Sequence, residues 1–153
     1  MKKNATPPYS YRNDPAVPPF PDDKPIFLFD GQCGFCSAAV MFLLRRCKSA
    51  DYRYVPAQTP LGQALLIHYG YDATDYETAL FLRDGVAYTR SEANLRAFAG
   101  CGFPYSVLNL ALLIPRSIRD RVYDFVARNR MRIAGRLDTC MIPTPSHAAR
   151  FLS

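Results

Sequence analysis

The pattern of apolar and polar residues is clearest between residues 26 and 46. Four consecutive apolar residues, 26–29, predict a short buried strand, and Asp30 with Gly31 ends it with residues that favour turns. From about Gly34 onward, apolar side chains recur at the spacing of a helix. These apolar positions are Val40, Leu43 and Leu44. The pattern therefore predicts a buried strand that leads through a short turn into an amphipathic helix.

The same kind of pattern continues to residue 99. It predicts, in order, a strand at 51–56, a helix at 61–69, strands at 78–82 and 87–89, and a helix at 92–99. Asp84 and Gly85 are typical of a tight hairpin between the last two strands, and Ser91 is expected to cap the last helix. Strands joined through a helix run parallel, whereas a hairpin is antiparallel. The prediction is an α/β fold of the thioredoxin type, with a mixed four-stranded sheet and flanking helices.

From about residue 103 only helical patterns follow, as an added C-terminal segment. Pro115 separates an apolar stretch, 105–114, from a helical stretch, 116–129. The second stretch has an apolar face that we expect to pack on the sheet. This face consists of Ile118, Val122 and Phe125. We interpret the arginines between 116 and 136 as a solvated face, with a bound phosphate or acidic partner as the alternative.

The first 25 residues contain seven of the thirteen prolines and show no apolar periodicity. This composition predicts a flexible, extended arm. We therefore divide the chain into an arm, 1–25, and a single thioredoxin-like domain, 26–153, whose C-terminal helical extension begins at about residue 103.

Length and charge limit the class of protein. A chain of 153 residues suits one domain, and no apolar run approaches the roughly 18–20 residues that a transmembrane helix needs. Prolines and polar residues follow Lys2 and Lys3 where a signal peptide would be apolar, so we expect no secretory signal and a cytoplasmic location. The net charge of +6 is moderate. We expect no nucleic-acid partner, and the sequence leaves the oligomeric state open.

Two of the five cysteines, Cys33 and Cys36, lie where the first strand meets the first helix. The unpaired N–H groups and the dipole of a helix N-terminus stabilise a thiolate, and a Cys-x-x-Cys pair there is typical of a reactive dithiol. We expect Cys33, at the cap, to be the exposed attacking thiolate. Cys36, one turn later, is expected to be more buried and to resolve the mixed disulfide.

Other polar groups near this pair have less specific roles. Asp30 either relays a proton for Cys36 or caps the turn with its carboxylate, and the sequence favours neither role. Cys47 and Cys101 are interpreted as incidental small residues of the core.

Four segments recur together in one known family. They are 30–36 (DGQCGFC), the hairpin 84–85 with 88–93 (YTRSEA), 114–120 (IPRSIRD) and 138–143 (DTCMIP). In this order, over roughly residues 25–145, they resemble the DCC family of predicted thiol–disulfide oxidoreductases, named for an Asp-x-x-Cys-x-x-Cys motif. The resemblance implies a thioredoxin-like fold and a redox role for Cys33 and Cys36. It supplies no substrate, so the expected partner is an unidentified thiol or disulfide, a protein or a small molecule, and we expect no cofactor.

The stretch 138–143 carries Cys140, far in sequence from the dithiol. Pro143 and Pro145 are expected to stop the last helix, so this stretch should fold back as an extended strip. We hypothesise that it approaches the Cys33 end of the first helix, where Cys140 would act as a third thiol or shape the pocket. A purely structural Cys140 is the alternative.

Two other classes of function stay open. Cys33 and Cys36 could bind zinc or a metal cluster together with Cys140 and His147, although a zinc ribbon usually supplies a second close pair, which this sequence lacks. A binding module that uses the scaffold without turnover is the third class. Metal content separates the first two classes, and a thiol titration in a redox buffer separates the first from the third.

Overall fold

A computed structural model describes residues 6–47, 51–74, 76, 78–139 and 141–152. In this part of the chain the helices are α1 (Gly34–Arg46), α2 (Pro60–His68), α3 (Arg90–Ala99) and α4 (Arg116–Ala134), and the strands are β1 (Ile26–Phe29), β2 (Arg53–Pro56), β3 (Leu80–Arg83) and β4 (Val86–Thr89). Short 3₁₀ helices lie at Ser10–Asn13, Tyr105–Leu113 and Ala148–Arg150. None of the helices in the described ranges is both long and apolar enough to cross a membrane.

The strands form one sheet in the order β2-β1-β3-β4. β1 runs parallel to β2 and antiparallel to β3, and β3 and β4 form an antiparallel hairpin. The predicted thioredoxin-like α/β fold with a mixed sheet is confirmed. Successive side chains of a strand point to opposite faces, so Phe27 and Phe29 belong to one core, and Ile26 and Leu28 to the other. Residues of α1 and α3 complete the first core, and residues of α2 complete the second.

The β3–β4 turn has the residues and geometry that the sequence predicts, whereas the start of α3 differs from the prediction. Asp84 and Gly85 adopt positive φ angles of 51° and 76°, as the predicted tight hairpin turn requires. The expected helix cap at Ser91 is wrong, because α3 already begins at Arg90. Ser91 lies inside the helix, and its hydroxyl donates a hydrogen bond to Asp120 of α4 (2.6 Å).

The described part of the proline-rich arm, residues 6–25, packs on the α2 side of the sheet. Tyr11 and Val17 are buried in that core, and a carboxylate oxygen of Asp14 lies 2.7 Å from Nδ1 of His68. The arm was predicted to be flexible and extended, whereas these contacts attach it to the domain. The aromatic and apolar residues of the arm pack on the α2 side of the sheet, a contact that the spacing of apolar residues in the sequence does not predict. The domain boundary at residue 25 stays a prediction.

The C-terminal elements pack differently from the prediction. Tyr105–Leu113 is a 3₁₀ helix that lies against α3, and the face of α4 predicted to cover the sheet points outward. The side chains of that face are exposed, Ile118 by 51%, Val122 by 61% and Phe125 by 69%. The other side of α4 packs on α1 and α3. On that side, the Tyr123 hydroxyl accepts a hydrogen bond from the N–H of Ala79, a half-buried residue just before β3 (3.0 Å).

Cys47 and Cys101 form a disulfide, so their interpretation as incidental residues is wrong. Both are buried, as expected of core residues. The bond joins the end of α1 to the chain just beyond α3. A separation of 54 residues gives no sign of this pairing in the sequence, because only the packed fold brings the two helix ends together. In the chain-entropy model, closing a loop of this length stabilises a fold by about 4 kcal/mol.

Candidate active site

Cys33 occupies the N-cap of α1. Its backbone is extended, and its sulfur accepts a hydrogen bond from the backbone N–H of Cys36 (3.2 Å). Such an acceptor pairs with one of the free donors of a helix N-terminus, and the helix dipole favours negative charge at this position. The prediction that Cys33 lies at the start of the helix is confirmed.

The pKa values of the two thiols move in opposite directions. A hydrogen bond from the Cys36 thiol, helped by the Cys36 backbone N–H and the charge of Arg130, lowers the pKa of Cys33 from 9.0 to about 6, although burial opposes the change. The same hydrogen bond, together with burial and the negative charge on Cys33, raises the pKa of Cys36. At neutral pH the pair therefore holds a thiolate on Cys33 and a thiol on Cys36.

The exposure of the two cysteines is the reverse of the prediction. Cys33, expected to be exposed, is completely covered (0%), whereas Cys36, expected to be more buried, is partly exposed. Charge favours Cys33 as the attacking sulfur, and exposure favours Cys36. The thiolate is the reactive form, so the attacking role of Cys33 stays a prediction.

The chain that follows α4 covers Cys33, and we call residues 135–139 and 141 the cover segment. Its backbone is held on the turn before α1 by an antiparallel bridge between Arg136 and Cys33 and by hydrogen bonds from the N–H groups of Leu137 and Met141 to the carbonyls of Gln32 (2.7 Å) and Gly31 (2.8 Å). The approach is close, since a Cβ at Gly34 would lie 2.5 Å from the Ala134 carbonyl oxygen. Glycine at position 34 is therefore needed for this packing.

The cover segment lies where the 138–143 stretch was expected to approach the Cys33 end of α1. Met141 provides the contact from that stretch. Cys140 itself lies outside the described residues, and its role as a third thiol stays a prediction.

Arg130, on the inward side of α4, links Cys36 to Asp30. Its guanidinium donates to the Cys36 sulfur (3.2 Å) and to the Tyr76 carbonyl (2.9 Å), and it lies 3.3 Å from the Asp30 carboxylate. Arg130 is only 9% exposed, so these charged contacts form where water screens them little. Sequence reasoning missed this residue, because seven arginines lie between 116 and 136 and no local feature distinguishes the buried one.

Asp30 has the turn role that was one of its two interpretations. Its carboxylate accepts hydrogen bonds from the Gln32 backbone N–H (3.0 Å) and the Gln58 side-chain amide (2.6 Å). These bonds stabilise the turn between β1 and α1. Its ion pair with Arg130 also connects that turn to α4. The other interpretation, a proton relay for Cys36, stays a prediction.

A small cavity of about 60 Å³ lies beside Cys36. Its walls are mostly apolar and aromatic, and they include Phe29, Phe35, Tyr76, Tyr123 and Val126. Asp30 and Arg130 add charge to the lining. The cavity offers space for a small apolar group next to the Cys36 sulfur.

Within the described part of the chain, no three His, Cys, Asp or Glu side chains lie together in a way that would hold a metal ion. His147, one of the ligands in the zinc alternative, contacts the Thr144 hydroxyl through Nδ1 (2.9 Å). Cys140, another of those ligands, lies outside that part of the chain.

The chain is similar to proteins of one family. Residues 27–136 match the model of the DCC1-like thiol-disulfide oxidoreductases. The chain is 35% identical over 127 residues to the uncharacterized protein YuxK of Bacillus subtilis (strain 168), an alignment that covers 83% of this chain and 93% of that protein. It is 32% identical over 120 residues to a chloroplastic DCC family protein of Arabidopsis thaliana, which covers 78% of this chain and 70% of that protein. No solved structure matches the chain.

Proposed function

The chain belongs to the DCC1-like thiol-disulfide oxidoreductase family, and from this premise we propose that it is an enzyme that exchanges disulfides through Cys33 and Cys36. The partner would be a protein or a small molecule that carries a thiol or a disulfide. The observation that carries the proposal is the pair itself, in which Cys33 forms a thiolate at a helix N-terminus and Cys36 holds a hydrogen-bonded thiol one turn away. A two-step exchange needs these two species.

In the first step, the Cys33 thiolate attacks one sulfur of the partner disulfide. A bond forms between Cys33 and that sulfur, the partner's S–S bond breaks, and the other partner sulfur leaves as a thiolate. In the second step, Cys36 gives up its proton and attacks the Cys33 sulfur, which releases the first partner sulfur. The partner gains two electrons, together with one proton from Cys36 and one from solvent, and becomes a dithiol, while Cys33 and Cys36 become a disulfide. The same steps run in reverse when the protein oxidises a dithiol.

The mixed disulfide changes the environment of Cys36. The high pKa of the Cys36 thiol arises first from its hydrogen bond to Cys33 and also from the negative charge there. Both are lost when Cys33 becomes part of a neutral mixed disulfide. The guanidinium of Arg130, 3.2 Å from the Cys36 sulfur, then favours the Cys36 thiolate. This contact supports a role for Arg130 in the resolving step.

A redox titration of the full chain tests the proposal. The protein is equilibrated in thiol–disulfide buffers between about −300 and −120 mV, the range that covers known dithiols of this type. Free thiols are then trapped by alkylation and mapped by mass spectrometry. We expect Cys33 and Cys36 to change together from dithiol to disulfide. A pair that never interconverts, or a metal bound to both sulfurs in the purified protein, would show that the proposal is wrong.

Replacing Leu137 with Pro is expected to make Cys33 react faster with an alkylating agent, by about two- to thirteenfold. Proline has no N–H, so the hydrogen bond from residue 137 of the cover segment to the Gln32 carbonyl is lost. One such bond contributes about 0.5–1.5 kcal/mol to stability. Its loss should raise, by that factor, the fraction of molecules in which the cover segment has moved away from Cys33. The rate of Cys33 alkylation at fixed pH measures the effect.

Leu137→Ala is the matched control, because it shortens the same side chain and keeps the N–H. It should react at nearly the rate of the unchanged protein. Equal rates for the proline and alanine variants would mean that reagents reach Cys33 without displacing the cover segment.

The cytoplasmic location stays a prediction. The Cys47–Cys101 disulfide weighs against it, because structural disulfides are rare in reducing compartments.

A further inference from the structure

An exposed apolar surface extends along the chain on both sides of Pro115. It consists of Val107, Leu110 and Leu113 in the 3₁₀ helix and Ile118, Val122 and Phe125 in α4, each exposed by 51–82%, and we call it the apolar surface. Residues 103–115 contain no charged residue. Large exposed apolar patches on a folded protein usually mark a site of interaction.

The apolar surface belongs to an ordered part of the fold. The 3₁₀ helix and α4 both pack on α3, and the Tyr105 ring meets Phe42 of α1 edge to face, with 5.3 Å between the ring centres. α1 and α3 together cover one face of the sheet. The exposed sides of the two elements therefore both face away from that layer. α4 presents its apolar residues there, while its inner side contributes Arg130 to the Cys36 sulfur of α1.

Positive charge borders the apolar surface. Arg121 and Arg132 are exposed, and residues three, four or seven positions apart lie on one side of a helix, which places both arginines beside Phe125. The two acidic residues of α4 are engaged with α3, since Asp120 accepts a hydrogen bond from Ser91 and Asp124 forms an ion pair with Arg90. The outward side of α4 is therefore apolar and cationic.

We propose that the apolar surface and its arginines bind the headgroup region of an anionic lipid bilayer. A helix with exposed apolar residues and flanking arginines lies in the plane of such an interface, where apolar side chains leave water and cations meet lipid phosphates. A second copy of the chain fits less well, because a two-fold contact places the same patch of each copy together and brings arginines against arginines. The charge complements an anionic surface.

Co-sedimentation of the full chain with lipid vesicles tests this proposal. We expect binding to vesicles of phosphatidylcholine with phosphatidylglycerol, weaker binding at high salt, and little binding to phosphatidylcholine alone. The variant Phe125→Ser should lower the partition coefficient at least about tenfold, because an aromatic side chain no longer enters the interface. Ile67→Ser is the matched control, since Ile67 is 62% exposed on α2, over the other core of the sheet.

Charge is tested in the same assay. The double variant Arg121→Gln with Arg132→Gln should lower partitioning about 30-fold, because each arginine near an anionic surface contributes about fivefold. Arg12→Gln with Arg83→Gln removes the same net charge from exposed positions in the arm and the hairpin, and should leave binding within about twofold. Equal losses in both pairs, equal binding to neutral vesicles, or a concentration-dependent dimer that ignores lipid would each overturn the proposal.

Discussion

Replacing Cys33 with Ser is expected to lower the rate of disulfide exchange at least about 100-fold, because a hydroxyl does not supply the nucleophilic thiolate. Replacing Cys36 with Ser should have a different result. The serine hydroxyl can still donate a hydrogen bond to the Cys33 sulfur, the first cause of its low pKa, so the first attack should continue. Without a second thiol the mixed disulfide is not resolved, and it should accumulate. Mass spectrometry of a non-reduced sample measures both outcomes.

The same two variants also test whether the charge of Cys33 or the exposure of Cys36 determines which sulfur attacks. Cys36 is the more accessible sulfur, so the opposite assignment, with Cys36 as the attacking group, is the alternative that these variants test. If Cys33→Ser trapped a mixed disulfide and Cys36→Ser abolished exchange, Cys36 would be the attacking group and our assignment would be wrong. The pH dependence gives a second measure, since alkylation of Cys33 should rise as pH increases through about 6, the lowered pKa of its thiol.

Replacing Arg130 with Met is expected to lower the free energy of unfolding by about 3 kcal/mol. The change leaves Asp30, only 6% exposed, without its ion-pair partner, and an uncompensated buried charge is costly. The Arg130 charge also helps to lower the pKa of Cys33. The alkylation midpoint of Cys33 should therefore move upward from about 6. Chemical denaturation measures the first effect, and alkylation across pH measures the second.

Arg132→Met is the matched control, because it removes an exposed arginine from the same helix. It should change stability by less than about 0.5 kcal/mol. The double variant Asp30→Asn with Arg130→Met should recover part of the lost stability, since a neutral amide leaves no unpaired charge. Similar losses for Arg130→Met and Arg132→Met would contradict the assigned role of the buried ion pair.

Local patterns were enough for the part of the fold that carries the dithiol. The apolar run 26–29 and the helical spacing after Gly34 predicted β1 and α1, because a buried strand and an amphipathic helix each repeat at their own period. Asp84 and Gly85 predicted the hairpin for a local reason too, since few residues accept positive φ. The four motif segments carried the resemblance to the DCC family, which the family match confirms.

Predictions failed where a residue's role depends on a distant partner. Ile118, Val122 and Phe125 form a regular apolar face, yet α4 buries its other side, where Tyr123 and Arg130 have specific partners. The spacing of apolar residues identifies the side chains whose burial away from water would stabilise the fold. It does not show which polar groups will have partners inside the fold, and here those partners lie in the turn after β1, on α1 and just before β3.

The sequence by itself determined the chemistry available to this protein: a Cys-x-x-Cys pair at the start of a helix, on a thioredoxin-like sheet. The tertiary structure decided how that chemistry is controlled. It covers Cys33 with residues from beyond α4, brings Arg130 to Cys36 across 94 positions, and joins Cys47 to Cys101. Charge and burial depend on every group within a few ångströms, and for these cysteines most of those groups are far away along the chain.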